Sequence, residues 1–270
     1  MKTCSMDFKN KDFDISFYVF KPTVEIVDHL VHRLQHFSLL TQNLGCVQSS
    51  IFRSIHGNMI IWYGAWKKRS SDEKDKLNEN LVSLVHIRWT DFIVYFFWNT
   101  EIDVKQSMLA NNVTGMAVLV EHNFLDAYAG ESRDGSLTVK FSTGDIISMD
   151  SVVTTTRDLN DLSYAALAIF RSRFPKIDGI VSGLCMKGQC LPCVVCIHVW
   201  QSLQFCYSWI LHPDHRKWMM PYLERFSTEM KYDIFRVVYV SGDNVMNLPS
   251  DFPHRMLEDE EENTQYLMQQ

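Results

Sequence analysis

The fold class is decided by the stretch CVQSSIFRSIHGNMIIWYGAW, which runs from Cys46 to Trp66. Its two ends, 46–52 and 59–66, are apolar and aromatic, and the turn residues His56-Gly57-Asn58 lie between them. Segments rich in β-branched and aromatic residues form strands, and a short turn with Gly and Asn joins antiparallel neighbours. The stretch therefore predicts a β-hairpin.

The segments around the hairpin predict one strand and two helices. The segment 14–20 alternates apolar and polar residues and is predicted to be a strand that ends at Lys21-Pro22. A helix follows Thr23, because apolar residues recur with helical spacing. These residues are Val27, Leu30, Val31, Leu34 and Phe37. The sequence Ser70-Ser71-Asp72-Glu73 has the spacing of a capping box and predicts a second helix to about Val82.

The later part of the chain predicts an antiparallel meander followed by mixed elements. Four short apolar stretches separated by turn residues form the predicted meander: 116–120, 124–128, 137–141 and 146–149. A helix is expected between Asn160 and Pro175, because proline cannot continue a helical ladder. Helical patterns are also present at 200–211 and 222–230, and strands are predicted at 194–197 and 234–240. No internal repeat is visible.

Together these patterns predict an α+β fold, in which antiparallel sheets of short strands pack against amphipathic helices. The elements form one domain or two closely packed halves. We expect an N-terminal α+β unit at 14–150, a C-terminal α+β unit at 158–249 and an acidic disordered tail at 250–270.

The charge of the chain excludes a dedicated nucleic-acid binder. The formal net charge is −6, and the tail at 250–270 holds six acidic residues against one arginine. The rest of the chain is therefore almost neutral and lacks the clustered positive charge that binds phosphates. We expect no nucleic-acid partner.

The first residues and the apolar runs predict an intracellular protein. No apolar segment of a secretory signal follows Met1, and the longest apolar run, 92–98, is too short to span a membrane. A cytoplasmic or nuclear location is therefore expected. The 7 cysteines are expected to be reduced thiols.

Four of these cysteines lie close enough in sequence to be considered as metal ligands. Their spacing is C-x4-C-x2-C-x2-C, which zinc or an iron–sulfur cluster can use. The four are Cys185, Cys190, Cys193 and Cys196. The residues around Cys196 read as a strand, whose side chains alternate between two faces, and this favours free thiols over a metal site. Motifs for phosphate, dinucleotide or catalytic zinc binding are absent, so we expect no cofactor.

Two sets of residues are candidates for binding. Trp62 and Trp66 belong to an aromatic excess that is typical of protein interfaces. Glu131, Arg133 and Asp134 lie in the loop from Gly130 to Gly135, and loops between strands often carry sites. The favoured interpretation is a non-enzymatic protein that acts through contacts with a protein partner. The alternative is a small-molecule-binding protein or enzyme that uses the Gly130–Gly135 loop, with a metal held by the cysteines.

Four segments, 16–22, 52–66, 126–135 and 232–243, resemble a plant-restricted family of uncharacterised proteins with a domain of unknown function. The resemblance covers about Asp14 to Asn244 and implies source and extent without an activity. It is interrupted by the segment from Leu84 to Gln106, because relatives in this family pass almost directly from a segment like 78–83 to one like 107–110. The segment from Leu84 to Gln106 is dense in Phe, Ile, Val, Tyr and Trp. This composition fits either a translated intron or an ordinary buried strand at 92–98.

Overall fold

A computed structural model describes residues 2–8, 12–23, 27–86, 116–154, 159–189, 191–213 and 229–241. The strands are β1 (Thr3–Asp7), β2 (Phe13–Pro22), β3 (Cys46–Ser54), β4 (Ile60–Lys67), β5 (Ala117–Ser132), β6 (Thr138–Ser142), β7 (Ile146–Val153), β8 (Ile180–Gly188), β9 (Cys193–Trp200) and β10 (Glu229–Val240). The helices are α1 (Val27–Asn43), α2 (Ser71–His86), α3 (Asn160–Arg173) and α4 (Leu203–Ile210), and a 3₁₀ turn at Phe174–Lys176 follows α3.

Eight of the described strands close into an antiparallel barrel. Their order around the barrel is β10-β3-β4-β2-β5-β8-β9-β7, and pairing of β7 with β10 completes the circle. Strand β10 also pairs with β3, which is far from it in sequence. Ser50 Oγ on β3 donates to the Tyr239 carbonyl oxygen on β10 at 2.5 Å. Strands β1 and β6 form a separate two-stranded ribbon.

Side chains from all eight barrel strands fill the barrel interior. Successive side chains on a strand point to opposite faces, so alternate residues point inward. Phe17, Phe52 and Tyr63 form part of this inner core. The ribbon adds its own apolar face, and its Phe141 ring packs edge-on against Phe52 with a centroid distance of 5.4 Å.

The other face of each strand is covered by helices. Helices α1 and α2 pack on β2–β5, and α3 and α4 pack on β7–β10. The buried stripe of α1 includes Leu30, Leu34 and Phe37, as the helical spacing predicts. The capping box at the start of α2 is also formed, because the Ser70 amide donates to Glu73 Oε2 at 3.0 Å and the Glu73 amide donates to Ser70 Oγ at 3.4 Å.

The barrel consists of two halves with the same order of elements. The first half is β2-α1-β3-β4-α2-β5 and the second is β7-α3-β8-β9-α4-β10. In both halves the first strand pairs with the third and the fourth, and the third also pairs with the second. The structure therefore contains a repeat, although none was predicted from the sequence. Whether either half is an independent domain with the bounds 14–150 or 158–249 stays a prediction.

The predicted α+β class is wrong. Strands outweigh helices in the described structure, eight of the described strands close into a single barrel instead of remaining an open sheet, and the few described helices lie outside it. The strands are also long: 117–132 is one strand of 16 residues where the sequence suggests two short ones, and Met230 is in β10 instead of a helix. In the sequence the polar run Glu121-His122-Asn123 divides 117–132 into two apolar stretches, but in the structure these residues continue the pairing of β5 with β2. The long strand was therefore predicted as two.

Three predicted features lie outside the described residues. They are the segment 92–98 within the interrupting stretch, most of the helical pattern at 222–230 and the acidic tail at 250–270. Among the helices that the structure does describe, none combines the length and the apolar character needed to cross a membrane.

A buried carboxylate joins the two halves of the barrel. The Asp14 side chain on β2 is fully buried and lies 3.0 Å from Lys68 Nζ and 3.6 Å from Lys74 Nζ. It also accepts from the Arg69 amide at 3.0 Å and from Gln189 Nε2, beyond β8, at 3.4 Å. Lys68 and Gln189 also bond Asp126, and Lys74 also bonds Gln189, but Asp14 is the fully buried acceptor that these groups share with the Arg69 amide.

We expect Asp14→Ala to lower the free energy of unfolding by about 3 kcal/mol, because it leaves the Arg69 amide and two ammonium groups without their buried acceptor. Urea unfolding followed by tryptophan fluorescence measures this loss. Asp126→Ala is the matched control, because Asp126 bonds the same Lys68 at 3.0 Å but is 49% exposed. The control should cost less than about 1 kcal/mol. Equal losses in the two variants would show that the burial of Asp14 is not what matters.

Candidate functional site

A cavity of about 100 Å³ lies in the second half, between the outer face of the barrel and helices α3 and α4. Its walls are mainly apolar and include Ala165, Ala166, Ile169 and Phe170 from α3 and Trp200 from β9. A closed apolar cavity of about 150 Å³ holds a benzene molecule in another protein. This cavity is smaller than that but partly open to solvent, so the largest group that it can take is a single ring that extends into the opening.

A carboxyl group stands in this apolar wall. The Asp150 side chain is only 14% exposed, and burial raises the pKa of Asp150 to about 7. Its Oδ1 lies 3.7 Å from His198 Nδ1 on the neighbouring strand. A carboxyl with this pKa is present in both protonation states near neutral pH and can therefore give or take a proton there.

Two further polar groups complete the floor of the cavity. Ser148 Oγ accepts a hydrogen bond from Trp200 Nε1 at 2.9 Å, which fixes the indole against the sheet. Burial raises the pKa of the Tyr232 hydroxyl, and this hydroxyl therefore stays protonated at neutral pH. The cavity thus combines apolar walls with a small number of fixed polar groups.

The first half has the same indole–serine contact at the equivalent place. Trp66 Nε1 donates to Ser16 Oγ at 2.8 Å. Ser16 pairs with Gly64 across β2 and β4, and Ser148 pairs with His198 across β7 and β9. This contact aligns the two halves residue by residue, so that Gly64 corresponds to His198.

The alignment explains why, among the described residues, this space is open in the second half and filled at the equivalent place in the first. Trp62 corresponds to Cys196 and Tyr18 corresponds to Asp150. The Trp62 ring fills the space under α1, where it packs edge-on against Phe37 at 5.0 Å and against Tyr18 at 5.8 Å. Replacement of the indole by a thiol and of the phenol by a carboxyl leaves this space unfilled in the second half.

Gly64 is part of the same arrangement. A Cβ atom at this position would lie 2.5 Å from Trp62 Cη2, which is closer than real contacts allow. The large indole therefore requires glycine two residues later, and the small Cys196 permits the imidazole of His198. With Trp62 and Gly64 the space between the barrel and the helix is filled in the first half. With Cys196 and His198 the equivalent space in the second half is open.

The two tryptophans proposed from the sequence do not form a surface. Trp62 and Trp66 are both fully buried between the barrel and its helices. Their contribution is to the packing of the first half, and neither is accessible to a protein partner in this structure.

The loop from Gly130 to Gly135 lies beside the cavity without lining it. Arg133 Nη2 donates to the carbonyl oxygens of Phe174 at 3.0 Å and Ile177 at 2.7 Å, and so holds the end of α3. Asp134 accepts from the Ser136 amide at 2.9 Å and from the Ser132 hydroxyl, and these bonds lower the pKa of Asp134 to about 2. Glu131 is half-buried and ends β5 next to this turn. Any role of Glu131, Arg133 and Asp134 in binding stays a prediction.

The candidate metal cysteines are separated by the barrel wall. Cys185 and Cys196 meet on the outer face with their sulfur atoms 3.1 Å apart. Cys193 belongs to the inner core and accepts from Asn123 Nδ2 at 3.2 Å, and Cys190 lies outside the described residues. Within the described ranges, no three His, Cys, Asp or Glu side chains gather as metal ligands.

The comparison with protein families finds one match. Residues 123–235 match DUF7392, a domain of unknown function. The DUF7392 range contains all of β7, α3, β8, β9 and α4, and therefore almost all of the cavity. The resemblance to an uncharacterised family is confirmed to this extent. The comparison with curated proteins found no significant match.

Solved structures share the fold of most of the chain. An anthrone oxidase-like protein superposes with a TM-score of 0.60 and 12% identity, over 88% of this chain and 95% of that one. A putative monooxygenase from Fusobacterium nucleatum superposes with a TM-score of 0.53 and 6% identity, over 85% of this chain and 94% of that one. The barrel that carries the DUF7392 domain is therefore the fold of these proteins.

The expected function needs correction. A non-catalytic role through protein contacts was inferred from an aromatic excess, but the tryptophans chosen for that role are buried and the fold is one found in oxidase-like and monooxygenase-like proteins. The interpretation as a protein-contact module is therefore wrong, and the small-molecule alternative fits the structure better. That alternative placed its site in the Gly130–Gly135 loop, whereas the residues that line the cavity lie outside this loop.

Asp150 and His198 were not singled out from the sequence, although a signal was present. The segments Ile60–Trp66 (IIWYGAW) and Val194–Trp200 (VVCIHVW) have the same length, alternate in the same way and end in Trp. The segments 15–18 (ISFY) and 147–150 (ISMD) share their first two residues. Aligned together, they place polar residues in the second half where bulky aromatic ones stand in the first.

Proposed function

We propose that the second-half cavity binds a small, mainly apolar compound with one ring and one ionisable group, and that Asp150 exchanges a proton with that compound. The observation that carries this proposal is the Asp150 carboxyl, held in an apolar wall and 14% exposed, with a pKa of about 7. Burial of an ionisable carboxyl in an apolar pocket costs free energy. A carboxyl with a strongly shifted pKa in such a pocket is therefore a candidate for a functional group.

The surroundings of Asp150 suit proton transfer. At neutral pH its ionised form can accept a proton from a phenol, an enol or an acidic C–H bond, and its protonated form can return one. His198 lies close enough to stabilise the carboxylate when its ring is charged, with 3.7 Å between Nδ1 and Oδ1. The apolar walls exclude water from the bound ring and strengthen these interactions.

The descriptions of the structural neighbours support a reaction on a small molecule. One is called anthrone oxidase-like and another a putative monooxygenase. Oxygen uptake is therefore a second readout to record with each trial compound. The restriction of the family to plants and a cytoplasmic or nuclear location remain predictions.

The binding step can be tested with 4-bromophenol, because bromine quenches tryptophan fluorescence and Trp200 and Trp209 line the cavity. We expect saturable quenching in the unmodified protein. Ala166→Leu fills the cavity from α3 and should weaken binding at least about tenfold, since it places a larger side chain where the ring lies.

Ala168→Leu is the matched control, because Ala168 is on the exposed face of the same helix. It should leave the affinity for 4-bromophenol unchanged. Equal affinities in all three proteins would place the probe elsewhere and contradict the proposed site.

A further inference from the structure

Two thiols lie opposite each other on neighbouring strands, and one of them is in the wall of the cavity. Cys185 on β8 and Cys196 on β9 are register partners in the antiparallel pairing of these strands. Their sulfur atoms are 3.1 Å apart, and both side chains are buried. Directly opposed residues on antiparallel strands have Cβ atoms about 4.5–5.5 Å apart, which is near the range that a disulfide spans.

The fold does not require thiols at these positions. The equivalent register pair in the first half is Ile51 and Trp62, which is apolar and fully buried. The second half therefore replaces an apolar contact by two sulfur atoms without a change in the strand pairing.

Only one of the two thiols lines the cavity. Cys196 is in its wall beside Asp150, whereas Cys185 lies behind it. A small oxidant that enters the cavity therefore meets Cys196 first, and Cys185 is already in contact to react next.

We propose that Cys185 and Cys196 are a redox-active pair that hydrogen peroxide converts to a disulfide. In the first step the Cys196 sulfur attacks one peroxide oxygen, the O–O bond breaks, and the products are a sulfenic acid and water. In the second step the Cys185 sulfur attacks the Cys196 sulfur, the S–O bond breaks, and a second water leaves with the remaining thiol proton. The two sulfur atoms lose two electrons and the peroxide gains two.

The second step gives this pair its selectivity. Two other buried thiols form hydrogen bonds with groups that are not thiols: Cys46 donates to the carbonyl oxygen of Gln48 at 3.1 Å, and Cys193 accepts from Asn123 Nδ2 at 3.2 Å. A sulfenic acid at Cys196, in contrast, forms within reach of Cys185. The contact with Cys185 and burial raise the pKa of Cys196, so the first step is slower than at an exposed thiol.

The test uses the reduced full-length protein treated with hydrogen peroxide, then alkylated and digested without a reductant. Trypsin cuts after Lys187, which separates a peptide with Cys185 alone, 177–187, from one that contains Cys190, Cys193, Cys196 and Cys206, 188–216. We expect these two peptides to be joined by a disulfide, with the loss of two hydrogen atoms. A reductant should release them.

Cys196→Ser and Cys193→Ser identify the partner on the longer peptide. The link should be lost in Cys196→Ser and retained in Cys193→Ser. Cys185→Ile, which copies Ile51 of the first half, is a second variant that removes the pair with a residue this fold accepts. A link that persists in Cys196→Ser, or oxidation of the unmodified protein to sulfinic acid without a link, would overturn the proposal. The readout is a mass and does not depend on whether the cavity binds a ligand.

Discussion

Asp150→Asn is expected to raise the free energy of unfolding by about 4 kcal/mol at pH 8. Burial raises the folded-state pKa of Asp150 from 3.8 to about 7. Each unit of such a shift corresponds to about 1.4 kcal/mol. At pH 8 the folded protein must hold a buried charge that the unfolded chain exposes to water, and the uncharged asparagine removes this cost.

The pH dependence gives the sign of the effect. Below about pH 4 the carboxyl is protonated in both states and does not affect stability. Between about pH 4 and 7 it is ionised only in the unfolded chain, so the free energy of unfolding of the unmodified protein falls as the pH rises. The difference between the two proteins should therefore grow over this window and then level off.

Urea unfolding at several pH values measures this difference. Asp178→Asn is the control, because Asp178 lies on the exposed turn before β8 and should change stability by less than about 0.5 kcal/mol. A constant difference across the pH range would mean that Asp150 is not a shifted carboxyl. Asp150→Asn should also abolish proton exchange with any bound compound, since an amide cannot act as the base.

The double variant Cys196→Trp/His198→Gly is expected to abolish binding of 4-bromophenol while the protein stays folded. It copies the Trp62/Gly64 pair of the first half, in which the indole fills the space under the helix. We expect the affinity to fall by about 100-fold or more, because the ring and the indole cannot occupy the same space. Calorimetric titration and a thermal unfolding curve measure the two quantities.

The single variant Cys196→Trp tests why the large Trp62 occurs together with Gly64. Without the glycine, the new indole meets the His198 side chain, as a Cβ at Gly64 would meet Trp62. We expect a loss of about 1–3 kcal/mol in this variant, and recovery of part of it when His198→Gly is added. If the double variant binds 4-bromophenol as well as the unmodified protein, the cavity is not the binding site.

Local patterns predicted the elements whose signals are local. The hairpin around His56-Gly57-Asn58, the apolar stripe of α1 and the capping box at Ser70 depend on neighbouring residues, and all three are present in the structure. Closure of the barrel depends instead on pairing between β3 and β10, which lie almost at opposite ends of the described chain. No local pattern specifies such a pairing, because register is set by contacts between distant strands.

The candidate site was missed for a related reason. Aromatic side chains such as Trp62 are conspicuous in a sequence, but in this barrel they fill the place in the first half that is equivalent to the cavity of the second. The functional signal is the loss of those aromatics in the second half, at Cys196 and Asp150, and it becomes visible only when the halves are aligned. The alignment needs the register of β2 with β4 and of β7 with β9.

The most direct test is a crystal of the full-length protein soaked in 4-bromophenol and measured at the bromine absorption edge. The anomalous signal locates the bromine atom without a prior assumption about the site. We expect a peak between α3 and β9, with the phenol hydroxyl within hydrogen-bond distance of Asp150. Bromine peaks only on the surface or in the first half, with the cavity beside Asp150 empty, would contradict the proposed site.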